Sequence, residues 1–168
     1  MLNLLRKSAA RKAFARALYD QLVERARAPL FFRELAVPDS IDGRFDLVTL
    51  HAWLVLERLK SAGLDEAAQV LTDTVFIGFD EALREQGTGD MGMGRKMKAM
   101  ADAFFGRLAV YSAAQDPETL AAALAKNVWR GSAAADAQQR LAAYVGTARA
   151  ALGSCDLEAA LLDFGPLP

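Results

Sequence analysis

Thirty-four alanines and 24 leucines stand against only 17 valines, isoleucines and threonines in these 168 residues. That imbalance most constrains the fold, because Ala and Leu lead the helix formers while β-branched residues are the ones that fill strands. The length is that of one ordinary domain, with enough chain to bury a core without a metal or disulfide as staple. The expectation is an all-α, single compact domain of six or seven helices. It divides into a basic N-terminal lead over 1–13, a helical core over 14–152 and a frayed tail over 153–168.

Composition then excludes several classes. Hydrophobic residues reach 53%, too many for a disordered chain, yet no run of about 18 apolar residues marks a membrane span. Twenty Lys and Arg against 21 Asp and Glu leave a net charge of −1, which argues against nucleic-acid binding over the whole surface and against specific DNA binding. Cys155 is the only cysteine and His51 the only histidine. An intrachain disulfide, a cysteine zinc site and a His-pair metal site are therefore impossible, and no metal or cofactor is expected.

The first 18 residues hold Arg6, Lys7, Arg11, Lys12 and Arg16 and no acid. No continuous apolar stretch follows, so this is not a secretory signal. It reads as a solvated first helix with a basic face, suited to weak contact with an anionic membrane or ribosomal RNA. That helix continues to Ala28, where Pro29 stops it. Residues 29–43 read as a structured connection. A helix from Arg44 follows, with Phe45, Val48, Ala52, Val55 and Leu59 at 3/4 spacing and leucines on its other sides, so it is buried nearly all round.

Gly63 ends that helix and Asp65 caps the next, which runs to about Gln86 and carries Gly78 as a sign of close packing. Residues 87–94, with four glycines, break the chain. Met97, Met100, Phe104, Leu108 and Tyr111 then form one apolar stripe. Asp116 and Pro117 open a helix to about Trp129, and Ser132 caps a last one to Leu152. In the tail, Leu161, Leu162 and Phe164 are the side chains able to dock.

Gly87-Thr88-Gly89-Asp90-Met91-Gly92 matches the dinucleotide pattern G-x-G-x-x-G. That motif works only after a parallel strand, where the pyrophosphate meets the start of the following helix. Here an amphipathic helix precedes it, which favours a plain glycine turn. The alternative is a small anionic-ligand binder or enzyme using the 87–94 loop, with Arg95 and Lys96 beside the amides. His51 reads as a hydrogen-bonded core residue rather than a general base, because no Ser or Cys nucleophile supports it. Asp39, Asp42, Asp46 and Asp90 flank helix starts, where capping accounts for most short acids.

Several blocks resemble one known family. Val37-Pro38-Asp39-Ser40-Ile41-Asp42-Gly43-Arg44-Phe45-Asp46-Leu47 with Leu50-His51 is similar to the opening motif of the ubiquinol–cytochrome c chaperone family. Leu83-Arg84-Glu85, then Gly87 to Met91, then Arg95-Lys96-Met97-Lys98 form a second block, and Phe105-Gly106-Arg107 with Tyr111 a third. Ala26-Arg27-Ala28-Pro29 with Phe31-Phe32 lies upstream, so the resemblance spans roughly residues 14–130. It implies a non-enzymatic assembly factor for the cytochrome bc1 complex, without cofactor, that binds newly made cytochrome b at the ribosome with a small partner protein; a homodimer is the other arrangement considered. The chain lacks the long N-terminal extension of mitochondrial members, so it looks like a bacterial one, cytoplasmic and peripheral to the inner membrane. In a eukaryote the matrix side of the mitochondrial inner membrane takes that place.

The charge density around two segments points to a partner surface. Asp39, Asp42 and Arg44 precede a buried helix, and Arg84, Asp90, Arg95 and Lys96 bracket the glycine turn, whereas a turn needs only small residues and a helix start one cap. The two segments are expected to lie together, with Arg44 facing Asp90 or Asp39 facing Arg95. Between them, Met91 and Met93 would form an exposed, adaptable apolar patch.

Overall fold

The computed structural model describes residues 2–87, 89–132 and 134–168, with the side chains of residues 2–7, 90 and 91 outside that description. The described residues form α1 (Leu2–Ala26), α2 (Pro29–Arg33), α3 (Ile41–Ser61), α4 (Asp65–Glu85), α5 (Asp90–Ala113), α6 (Pro117–Val128) and α7 (Ala135–Gly153), with no strand among them. The all-helical, single-domain expectation holds.

α3 is the axis of the molecule. Fourteen of its 21 residues are buried, and it packs against α1, α4, α5, α6 and α7. A helix enclosed on this many sides must be apolar nearly all round, which is how its sequence reads. Its C-terminus closes where Gly63 takes φ +72°, a left-handed position that favours glycine after a helix. α1 lies across α3 and α4, burying Ala15, Leu18, Leu22 and Ala26 at 3/4 spacing. At the α1–α4 crossing a Cβ on Gly78 would collide with the Tyr19 ring and hydroxyl, so this glycine sets how closely the helices approach.

Of the polar groups α3 takes into the core, His51 is bonded through both ring nitrogens. His51 is fully buried, with Nδ1 2.7 Å from the Leu47 carbonyl and Nε2 2.8 Å from the Tyr144 hydroxyl. A carbonyl only accepts, so Nδ1 carries the proton and Nε2 accepts from Tyr144. The Tyr144 oxygen in turn accepts from Arg25 Nε at 3.0 Å. Phe31 and Phe164 stand edge-on to the imidazole, and burial lowers its pKa to about 4. This is the bonded core histidine the sequence suggested, sealed from solvent with both ring nitrogens engaged.

Several boundaries differ from expectation. α1 ends at Ala26, and Pro29 opens the short α2 instead of only stopping a helix, since proline is well suited to a first turn. α3 starts at Ile41, three residues before Arg44, because the Ser40 side chain accepts from the Gly43 amide. Asp65 is the first residue of α4 and not its cap, though its charge still suits that end. Ser132 donates to the Trp129 carbonyl at 2.6 Å instead of capping α7. At α6, Asp116 and Thr119 form the expected cap as a reciprocal box.

The tail, expected to fray, is docked. Leu157 and Phe164 are buried. Gln21 of α1 donates to the Ala160 carbonyl at 2.7 Å and accepts from the Leu162 amide at 2.9 Å, while Arg25 donates to the Gly165 carbonyl at 2.6 Å. Phe164 supplies the apolar anchor, and two long polar side chains of α1 satisfy the tail backbone, which helix periodicity does not reveal.

Candidate functional site

The start of α3 is shaped by a close approach. A Cβ on Gly43 would run into the Pro38 carbonyl, so only glycine lets residues 37–40 cross the first turn. That crossing holds Asp39 and Arg44 at the surface, where they pair at 2.8 Å. It also leaves Ile41 52% exposed, a large apolar side chain at the rim.

Beneath it lies a charged cluster the sequence reading assigned no common role. The Asp46 carboxylate is fully buried. Arg130 reaches its Oδ2 at 2.7 Å from the α6–α7 turn, and Arg107 of α5 approaches Oδ1 at 2.8 Å. The Arg107 pair has ion-pair distance but not hydrogen-bond alignment. Oδ1, Arg107 Nε and the hydroxyls of Thr49 and Tyr111 accordingly have no hydrogen-bond partner among the described residues. Burial pushes the Asp46 carboxyl up to about 6, with both guanidiniums opposing the rise, so it is ionised at neutral pH. Arg130 itself sits at φ +55°, beside Gly131 at +83°. A non-glycine residue held in that region stores strain, and its side chain is the one that reaches Asp46.

Two hollows meet above this cluster. One, of about 480 Å³, lies between α1 and the α3–α4 pair and is bordered by Tyr19, Arg27, Asp39, Arg44 and Phe79. The other, of about 470 Å³, lies over α5 and is bordered by Asp42, Lys96, Ala103, Arg107 and Arg130. Both include Ile41, Phe45, Leu83, Gln86 and Met100, so they form one groove with an apolar floor and a charged rim. The Phe45 ring is pressed between Phe79, at 5.0 Å between centroids, and the Arg107 guanidinium at 5.1 Å. Such a groove can bury apolar side chains and orient charged ones.

The two charged segments thus do come together, in a different arrangement from the one expected. Asp39 and Arg44 border one hollow, Asp42 and Lys96 the other. Arg44 pairs with Asp39 rather than facing Asp90, and the Asp90 and Met91 side chains lie outside the described residues. Arg84 is exposed and bonded to Asp80 at 2.7 Å, and Arg95 is exposed outside the groove lining. Met93 is buried, at 7% exposure, and is no part of an exposed patch. The reason is that α5 begins at Asp90, so Gly92 and Gly94 are helical and Met93 turns inward in the first turn. With α4 before the glycines and no strand among the described residues, the dinucleotide reading has no structural context. The sequence reading missed Tyr19 and Arg27, at the end of a helix read as solvated with a basic face, Phe79, read as core, and Arg130, read only as a turn.

Comparison with known proteins agrees with this architecture. The model of the Ubiquinol-cytochrome C chaperone family matches residues 33–163, which include α3, α4 and α5. The Ubiquinol-cytochrome-c reductase complex assembly factor 1 of Xenopus laevis is 25% identical over 121 residues, spanning 70% of this chain and 60% of that protein's length. Among solved structures, the Cbp3 homolog from Brucella abortus has a TM-score of 0.80 and 36% identity, with 95% of this chain and 92% of that one covered. The chain belongs to the ubiquinol–cytochrome c chaperone family.

Proposed function

We propose that this chain is a non-enzymatic assembly chaperone for the cytochrome bc1 complex, holding cytochrome b before or during its maturation. The observation that carries the reading is the family match over residues 33–163, which takes in both charged segments of the groove. Asp39, Asp42, Arg44 and Lys96 serve as its rim, and Arg84, Asp90, Met91 and Arg95 as the adjoining contact surface. Met93 supports this surface from below. Among the described residues no helix is long and apolar enough to cross a membrane. The work is placed at the face of the inner membrane where cytochrome b is made, cytoplasmic in a bacterium and matrix-side in a mitochondrion. The basic face of α1 makes a salt-sensitive contact with anionic lipid or the ribosome, and a small partner protein shares the client.

Deletion of the gene tests this reading. Assembled bc1 complex and the cytochrome b spectrum should both fall while other respiratory complexes stay at their normal level. A deletion strain with unchanged cytochrome b and quinol oxidation would overturn it.

A further inference from the structure

Behind the groove floor, four polar atoms without a hydrogen-bond partner among the described residues belong to one helix interface. They are Asp46 Oδ1 and the Thr49 hydroxyl on α3, and Arg107 Nε and the Tyr111 hydroxyl on α5. Asp46, Thr49 and Tyr111 are fully buried, and the two helices pack together. Two contacts fix their register. Asp46 pairs with Arg107 at 2.8 Å. Further along, the Trp53 indole donates to the Ser112 hydroxyl at 2.9 Å, and its ring lies 5.3 Å from that of Tyr111. Thr49 stands one helical turn beyond Asp46, and Tyr111 one turn beyond Arg107, so both hydroxyls belong to the interval between these contacts. The Thr49 hydroxyl also breaks a local habit. Thr72, Thr74 and Thr147 each donate to the carbonyl four residues back, at 2.9, 2.7 and 3.2 Å. That of Thr49 does not.

We propose that the α3–α5 interface is a binding site for one buried water molecule, which bridges these side chains as a fixed part of the fold. A buried polar atom left unbonded costs more than an ordinary hydrogen bond contributes, and four in one interface call for a shared partner. Their chemistry defines that partner. Asp46 Oδ1 is a carboxylate oxygen that only accepts, so the occupant must donate, which a halide cannot do. Arg107 Nε only donates, so the occupant must also accept, which an ammonium or a metal ion cannot do. The two hydroxyls give or take and fill what remains. Water has two donors and two acceptors, and a buried water ordinarily makes about three such bonds. Held there, it completes the bonding of Arg107 and keeps the guanidinium over the Phe45 ring, 5.1 Å from its centroid, under the groove. The inference does not depend on any client.

The test is a crystal structure of the full chain at a resolution that shows ordered solvent, joined to urea unfolding of Thr49→Val, Tyr111→Phe and the double variant. One ordered water is expected within hydrogen-bond distance of at least two of the four atoms, with one of them on each helix. Each single substitution should lower the urea midpoint at unchanged slope. The double variant should lose less than the sum of the two, because both remove bonds to the same molecule. Three results would overturn the proposal. One is density without solvent there, with the hydroxyls bonded directly to each other or Thr49 bonded to the Phe45 carbonyl. Another is density that fits an ion instead of water. The third is a pair of midpoint losses that simply add. If a variant fails to fold, the crystal structure of the parent decides alone. None of these results bears on cytochrome b capture, which gene deletion tests separately.

Discussion

The Tyr144 hydroxyl gives its proton to Nε2 of His51 across 2.8 Å while its oxygen accepts from Arg25 Nε at 3.0 Å. One phenol thereby joins α7 to both α3 and α1. Tyr144→Phe keeps the ring packing and strips both bonds, leaving the imidazole nitrogen buried without a donor. A loss of about 1–3 kcal/mol is expected, read as a lower urea midpoint with an unchanged slope. A midpoint equal to the parent's would show that the bond contributes nothing net.

Two buried groups titrate in opposite senses. His51, lowered from 6.5 to about 4, refuses in the folded state a proton that the unfolded chain accepts, so its contribution falls as pH drops from about 6.5 to 4. Asp46, raised from 3.8 to about 6, takes up its proton earlier when folded, so its contribution rises as pH drops from about 6 to 3.8. The slopes offset each other in the parent. Asp46→Asn removes the group whose contribution rises as pH drops. It should make stability decline more steeply than the parent's between pH 6 and 4. Urea midpoints over a pH series check this, and parallel profiles would count against it.

Gly78→Ala improves helix propensity by about 1 kcal/mol but drives a methyl into Tyr19. A net loss of about 1–3 kcal/mol is expected from overpacking. In a Tyr19→Ala background the same change should be neutral or stabilising. That reversal of sign in a double-mutant cycle identifies the α1–α4 approach as the cause.

Met93→Ala should cost about 2 kcal/mol, a drop of roughly 4–8 °C in melting temperature for a chain of this size. Capture of cytochrome b per folded molecule should remain as in the parent. A fall in capture at unchanged melting temperature would place this methionine at the client after all.

Neutralising Lys12 and Arg16 on α1 should weaken sedimentation with anionic vesicles at low salt while leaving the helical spectrum unchanged. Arg11 is left alone in this test because it pairs with Glu66 of α4. Equal sedimentation of variant and parent across a salt series would remove the electrostatic role.

What could be read from the sequence was whatever has a local cause. The buried circumference of α3 follows from its leucines, the Asp116 cap from the proline that follows it, and the Gly63 stop from the end of a period. The onset of α5 was misplaced because glycine rarely opens a helix on propensity. Here the Gly89 carbonyl collects the amides of Gly92 and Met93 and the turn forms regardless. The charged segments were recognisable by their density, but their partners were not. Asp46 meets Arg130 across 84 residues, and no periodicity carries information over that distance.

The docked tail has a consequence for how the molecule comes into being. Residues 157–165 are polymerised after all seven helices, yet they hold Gln21 and Arg25 of the first. Sequence separations of 139 to 141 residues separate these partners. While the chain is still being synthesised, α1 can settle on α3 and α4 but lacks this latch, and the apolar ground later covered by Phe164 stays open. The fold around α1 is therefore completed only once residues 157–165 have left the ribosome.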